Sequence, residues 1–513
     1  MTMRTFSAIS VLAVAISLPI SPIFSQESQP LDRGVIPSDQ PSTNSGAGKS
    51  YLESAFGVSG AEADKRRELM RKAEALSLQL YEQFPERFDE IILQHQPRFA
   101  VLVYYSGEPL ESAIRQSVDP ELRSVLQFRR SPRTSAEIKN AERELITILG
   151  DQNYSIAFDR QNAKFDITVA EGRAQKIRDA IPANLKSWTI VREGPTPSLM
   201  QSGTVAGDAL YGGWQLYDAR DPGKYCTAGF VTRDSNGRQS ILTAQHCFMS
   251  RYGEMLATDR NSQNNHVITL GSPVSVNYTK LTYDSYRDRS YDFRMMPIPN
   301  TDSPPSVWFW NPVDIRYSYW VHSNDDNYDG LKDGFVEKTE AFSQRYEGLP
   351  PSNGSVDVIG VISNSAGTGR TNPGHIAGDI RCKSGHTTGV TCGQIKWSSA
   401  TIQVDGTTRY GFVTVSRFTT PVAGFGGDSG GAVFDQPYWS SGTGRWNARA
   451  AGLLVGGTDF PRHPFSDLGK RPCHRVNDGV DCEMNYMPID RINDFGPATV
   501  LIRNGTATTS VTP

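Results

Sequence analysis

Apolar residues recur along AEADKRRELMRKAEALSLQLYEQF, the stretch after Gly60, so that Leu69, Ala73, Leu76 and Leu80 share one stripe. Steps of three and four residues predict a helix with a single buried face. RFAVLVYY, from Arg98, is apolar almost throughout and predicts a buried strand. Thr134 with Glu137 forms a capping box at the start of AEIKNAERELITILG, which predicts a second helix. YSIAFD and KFDITV follow as two short strands separated by RQNA, and a helix runs through AEGRAQKIRDAI. Together these elements predict an α/β segment. Pro182 and the stretch REGPTPSLMQSG break the pattern and mark a linker near 192–203.

Beyond that point the texture changes. Gly, Thr, Ser, Tyr and Val dominate, helical spacing vanishes, and short strands alternate with turns, as in AGFVTRDSNGRQSILTA, GQIKWSSATIQVDG and YGFVTVSRF. Asn236-Gly237 and Asp405-Gly406 lie between apolar runs and predict hairpins. The pattern implies an all-β barrel or a pair of packed sheets. At the other end, Met-Thr-Met-Arg precedes the apolar run FSAISVLAVAISLPI and small residues at Ser21 and Ser25, which predicts a secretory signal over 1–25. Residues 26–50 are rich in Ser, Pro, Gly and Gln and read as a disordered connector. No later run is apolar for the roughly 18 residues that a membrane-spanning helix needs.

Composition narrows the partners. The 513 residues carry a formal net charge of −3, with 21% charged residues, so nothing implies nucleic acid or an anionic membrane as partner. A polypeptide or a small molecule remains as substrate. The six cysteines all lie at or beyond Cys226, and no CxxC occurs. In an exported chain an even count implies disulfides. Short loops are the easiest to close, so Cys226 pairs with Cys247, Cys382 with Cys392, and Cys473 with Cys482.

Two residues suggest chemistry. Ser429 sits in GFGGDSGGAVF, where glycines leave the backbone free to aim amide protons at one point. The amides of Gly427 and Ser429 could then form an oxyanion hole. His246 ends the apolar strand of SILTAQHC beside a disulfide-bonded cysteine, which fixes its backbone as a general base requires.

CTAGF, LTAQHC, CKSGHTTGVTCG and GDSGG, in this order, resemble the bacterial chymotrypsin-like serine peptidases of the streptogrisin and α-lytic protease group. AGDALYGG, from Ala206, is similar to that group's mature N-terminus, and MPID, from Met487, to the segment before its closing helix. The resemblance covers roughly residues 203–500. It implies two antiparallel β-barrels over 201–513, preceded by an α/β propeptide over 51–200 that assists folding and blocks the cleft. It further implies a His246, Asp292, Ser429 triad for cleaving peptide bonds, without a cofactor. Asp292 leads an apolar strand in RSYDFRMMPI, whereas Asp284 and Asp288 lie in a polar loop before it. Val455, Gly456 and Gly457 match the wall of the substrate pocket, and Ala423 stands where trypsin-like relatives carry an Asp. An apolar residue before the scissile bond is therefore expected, with cleavage of the precursor itself between Met200 and Thr204.

The chain departs from the group's pattern in several places. Gln245 precedes the histidine in place of a small residue. Val455 replaces a Ser whose hydroxyl would help to hold Asp292. Lys383 replaces an Arg and could pair with Asp428, but without the bidentate fork of a guanidinium. These changes keep open a secreted binding protein on a peptidase scaffold. An α/β-hydrolase, whose GxSxG elbow GDSGG also satisfies, needs more chain after Ser429 than remains. Finally, Asp325, Asn327, Asp329 and Asp333 have the spacing of a calcium loop. Val336 stands where its twelfth-position Glu would be, and the run also reads as a solvated turn, so no metal is required.

Overall fold

A computed structural model describes residues 49–199 almost throughout. Beyond them it describes 212–247, 283–298, 371–460 and 481–494 with short gaps, and separate strands between and after these stretches. The expected signal, nearly all of the connector, the calcium-like run from Asp325 to Asp333, and Cys473 lie outside the described residues.

Helix α1 (Tyr51–Phe56) opens on a capping box between Ser50 and Glu53, and α2 (Gly60–Gln83) follows it. Leu69, Ala73, Leu76 and Leu80 are all buried, as their spacing implied. Strands β1 (Phe88–Gln94) and β2 (Ala100–Tyr105) pair antiparallel, and β3 (Leu126–Arg130) joins β2 in parallel. Helix α3 (Ser135–Leu149) begins at the Thr134 capping box. The hairpin of β4 (Tyr154–Asp159) and β5 (Lys164–Val169) comes next, then α4 (Ala174–Ala180) and β6 (Thr189–Glu193), which lies parallel to β5. Leu145, Ile156, Phe165 and Ile177 close one core between these helices and strands.

The stretch read as a linker is partly strand. β7 (Thr196–Leu199) pairs antiparallel with Gly456–Asp459, Leu199 standing opposite Gly456 and Ser198 opposite Gly457. Pairing along a strand edge uses backbone groups alone, so no alternation of side chains announced it.

Past β7 the described residues are strands joined by turns and two short 3-10 segments. Strands β8 (Gln215–Asp218) and β9 (Asp221–Thr227) form one antiparallel pair. β10 (Val231–Arg233) and β11 (Gln239–Thr243) form the expected hairpin around Gly237, and β12 (Phe293–Pro297) lies along β11. β13 (Ile380–Gly385), β14 (Gly389–Val404) and β15 (Thr407–Ser416) follow, the last two joined at the expected Gly406 turn. β16 (Ala432–Asp435), β17 (Arg445–Phe460) and β18 (Met484–Pro488) belong to the same sheet as β13 to β15, as do the strands Ser306–Phe309, Gly354–Val361 and Tyr438–Ser440.

The α/β segment is hydrogen-bonded into the same sheet. β4 pairs antiparallel with β14, Tyr154 facing Gln403 and Ile156 facing Thr401. On the opposite side of the segment, the Leu93 amide donates to the Ala377 carbonyl at 2.8 Å. Gly378, beside it, has φ +91°, and a Cβ there would lie 2.2 Å from the Leu93 carbonyl oxygen, so this approach demands glycine. One buried cluster accordingly runs from Leu69 and Ile91 to Ile376, Phe434 and Ala450. No described helix is long and apolar enough to cross a membrane.

Candidate active site

Ile241 and Leu242 are fully buried and anchor β11. The strand ends in a 3-10 turn, Gln245–Cys247, that carries His246. A disulfide from Cys247 to Cys226 ties that turn to β9. Antiparallel register brings Thr243 opposite Arg294, so Asp292, just ahead of β12, arrives beside the turn. Its Oδ1 accepts the backbone N–H of Gln245 at 2.8 Å and of His246 at 3.1 Å, and its Oδ2 meets His246 Nδ1 at 2.7 Å.

On the other side of the ring, His246 Nε2 lies 2.8 Å from Ser429 Oγ. An ionised carboxylate can only accept, so Nδ1 carries a proton toward Asp292 and Nε2 is left to accept from the hydroxyl. The Val455 carbonyl, 3.0 Å from Ser429 Oγ, is a second acceptor for the same proton. His246, Asp292 and Ser429 are all buried. Burial opposes the charge on Asp292, but the His246 ring, its hydrogen bonds and the Arg409 guanidinium outweigh this and hold the carboxyl below the usual range. Asp288, by contrast, accepts from the Tyr283 hydroxyl at 2.7 Å and pairs with Lys139 of α3. Asp284 lies in the short strand Tyr283–Asp284 of the same region. Of the three aspartates, only Asp292 reaches the ring.

Several long-range contacts set the loop around Ser429. The Thr227 amide donates to the Ser429 carbonyl at 2.7 Å, and the Thr227 hydroxyl to the Gly427 carbonyl at 2.6 Å. Gly430 has φ +81°, and a Cβ on it would sit 2.0 Å from Thr243 Oγ1. The glycine after the serine therefore lets the loop close onto the strand that leads to His246. Lys383 and Asp428 form the expected pair at 3.0 Å, both excluded from solvent. Burial pulls the Lys383 ammonium down from its ordinary range, and the facing carboxylate opposes this. Thr387 and Thr388 add backbone N–H donors to Asp428 at 2.8 and 3.1 Å.

Val455, Gly456 and Gly457 are consecutive in β17, and all three are buried. Ala423 is buried as well, its carbonyl accepting from Thr391 Oγ1 at 2.6 Å. The Cys382–Cys392 disulfide crosslinks β13 to β14, and Cys482 is also disulfide-bonded. Cys226, His246 and Cys247 lie close enough to share an ion, but the two sulfurs are bonded to each other and offer no thiolate. Sequence reading missed Arg409, whose Nε lies 3.5 Å from Asp292 Oδ2. Its one signal was a lone cation in the strand pattern TTRYGFVTVS.

No family model and no curated relative matches the chain. Among solved structures it is similar to Thermobifida fusca protease A, at 20% identity and a TM-score of 0.30, over 57% of this chain and 100% of that one. A Nocardiopsis protease is similar at 15% identity and a TM-score of 0.31, over 59% and 100%. A glutamic acid-specific serine protease is similar at 18% identity and a TM-score of 0.30, over 57% and 100%. Likeness this low carries no function from those proteins to this chain.

Proposed function

We propose that the chain is the precursor of an exported serine endopeptidase, with residues 51–200 as propeptide and 201–513 as a peptidase domain of two β-barrels. The observation that carries this reading is the unbroken hydrogen-bonded row Asp292–His246–Ser429, drawn from three separate strand ends. In the first step the Ser429 oxygen attacks the scissile carbonyl carbon while its proton passes to His246 Nε2. Asp292 holds the ring's tautomer and offsets the charge of the imidazolium, keeping its own negative charge. The amides of Gly427 and Ser429 receive the oxyanion. The C–N bond then breaks as His246 returns the proton to the leaving amine. Water, activated in the same way, hydrolyses the acyl-enzyme and restores the serine.

The precursor reading draws support from β7. It occupies the edge of β17 beside Gly456 and Gly457, the stretch expected to form the wall of the substrate pocket. Its last residue, Leu199, stands opposite Gly456, next to Val455, whose carbonyl touches Ser429 Oγ. A chain leaving this position enters the stretch Met200 to Thr204, where self-cleavage is expected. The apolar run at the N-terminus supports export.

A fluorophosphonate probe tests the reading. The expected result is covalent labelling at Ser429 once the chain has been cleaved between Met200 and Thr204, abolished in Ser429→Ala and strongly slowed in His246→Ala. A chain cleaved between Met200 and Thr204, with residues 51–200 removed, that stays unlabelled at all pH values from 6 to 9 is a scaffold without catalysis.

A further inference from the structure

Asp292 is fully excluded from solvent, and its two oxygens are held unequally. Oδ1 accepts two backbone N–H groups, while Oδ2 faces the His246 ring and the Nε of Arg409 at 3.5 Å. Arg409 belongs to β15, on a different sheet from β11 and β12, and is itself only 2% exposed. Its Nη1 donates to the carbonyls of Val404 and Thr407 at 3.2 and 3.3 Å, which fixes the guanidinium at the β14–β15 turn. Those carbonyls carry no charge to balance it. A buried guanidinium without an opposing charge is strongly disfavoured, and the Asp292 carboxylate is the anion it faces. Val455, meanwhile, supplies no hydroxyl to this carboxylate.

We propose that Arg409 is a positioning residue for the triad, acting through Asp292: it fixes the carboxylate from the opposite sheet and offsets part of its charge. The proposal rests on the serine-peptidase reading. Its consequence is electrostatic. The ring of His246 shares the Asp292 carboxylate with a second cation. Neutralising Arg409 leaves the carboxylate's charge to the ring alone and strengthens the ring's hold on a proton. Among the described residues, other charges around the row include Arg294 of β12, Arg491, the Arg289–Asp494 pair, and the Lys383–Asp428 pair beside Ser429.

The test is the rate of labelling by a fluorophosphonate against pH, measured on the full chain, because it needs no knowledge of the preferred substrate. In Arg409→Met the acidic limb of the profile should move up by about one pH unit, and the plateau rate should fall roughly tenfold. Arg409→Lys, which keeps a cation, should restore most of the limb's position. An Arg409→Met chain that labels with an unmoved acidic limb overturns the proposal, even if less of it folds. If Arg409→Met yields no folded chain, Arg409→Gln is measured in its place. Failure of both neutral variants to fold, with Arg409→Lys folding normally, assigns Arg409 a purely structural role and also overturns the proposal. A wild-type chain that never labels, even after residues 51–200 are cleaved off, removes the peptidase reading itself, which is a distinguishable result.

Discussion

The exposed pairs of the α/β segment and the buried pairs around the β domain's candidate site use charge in opposite ways. In the segment, Arg67–Asp64 and Arg115–Glu111 sit on exposed surface three or four residues apart, and Lys72 reaches Asp119 and Glu121 near the surface. Pairs of this kind contribute about 0–1 kcal/mol each and keep a surface soluble. In the β domain, Lys383–Asp428, Arg381–Asp379 and Asp292 with Arg409 are almost wholly buried, and in the first and last of these the partners come from separate strands or loops. Such pairs cost desolvation and add little net stability. What they fix is geometry, and two of the three lie in direct contact with the residues proposed for catalysis. The lesson is that the exposed pairs of the segment can be lost cheaply, while the buried pairs beside Ser429 and Asp292 hold the site together. The boundary between the regions shares both traits, since Glu74 of α2 pairs with Arg449 of β17 at 2.9 Å, with Glu74 buried.

The largest effect expected of this contrast follows from breaking a buried pair. Lys383→Met leaves the Asp428 carboxylate buried without its cation, and should cost about 3–5 kcal/mol, read as a lower thermal midpoint. A loss no greater than that of Arg67→Met would erase the distinction.

Acid should act next, at the boundary. His95 is buried against Gly378, whose carbonyl accepts from Nε2 at 2.9 Å, and burial holds its pKa down at about 4, against an ordinary 6.5. Because the folded value is depressed, the unfolded chain takes up the proton first as pH falls. Stability is therefore complete above pH 6.5 and is lost between there and pH 4, by about 3 kcal/mol in all. Glu74 and Glu90 are shifted up by burial and act in the opposite sense, so a comparison is needed. In a Ser429→Ala background, urea unfolding should show this loss for His95 and not for the His95→Gln variant. Identical pH dependence in both would contradict it.

The smallest effect belongs to the segment's local chemistry. Thr134→Ala removes the acceptor of the Glu137 amide at the start of α3 and should cost about 1 kcal/mol. The thermal midpoint should drop slightly, with the labelling rate at Ser429 unchanged. A slower label would tie this helix to the site and blur the contrast.

The same division explains what could be read from the sequence. Helix α2, its buried stripe, the Thr134 cap and the β4–β5 hairpin depend on residues a few positions apart, and each was legible. His246, Asp292 and Ser429 were legible through the motifs around them. The strand Thr196–Leu199 was not, because it pairs through backbone groups and carries two prolines' worth of interruption in its neighbourhood. Nor was the pairing of β4 with β14, since either edge could have met water as far as its own residues tell. Arg409 stayed hidden for a related reason: a buried cation is recognised by its anion, and that anion belongs to another sheet.

The central claim is that His246 and Ser429 work as one unit. Casein hydrolysis by the full chain tests it most directly, comparing His246→Ala, Ser429→Ala and the double variant with wild type. Each single change should lower the rate by about 10⁴-fold or more, and the double change should lower it no further. A single variant that keeps the wild-type rate, or losses that multiply in the double variant, would contradict the account.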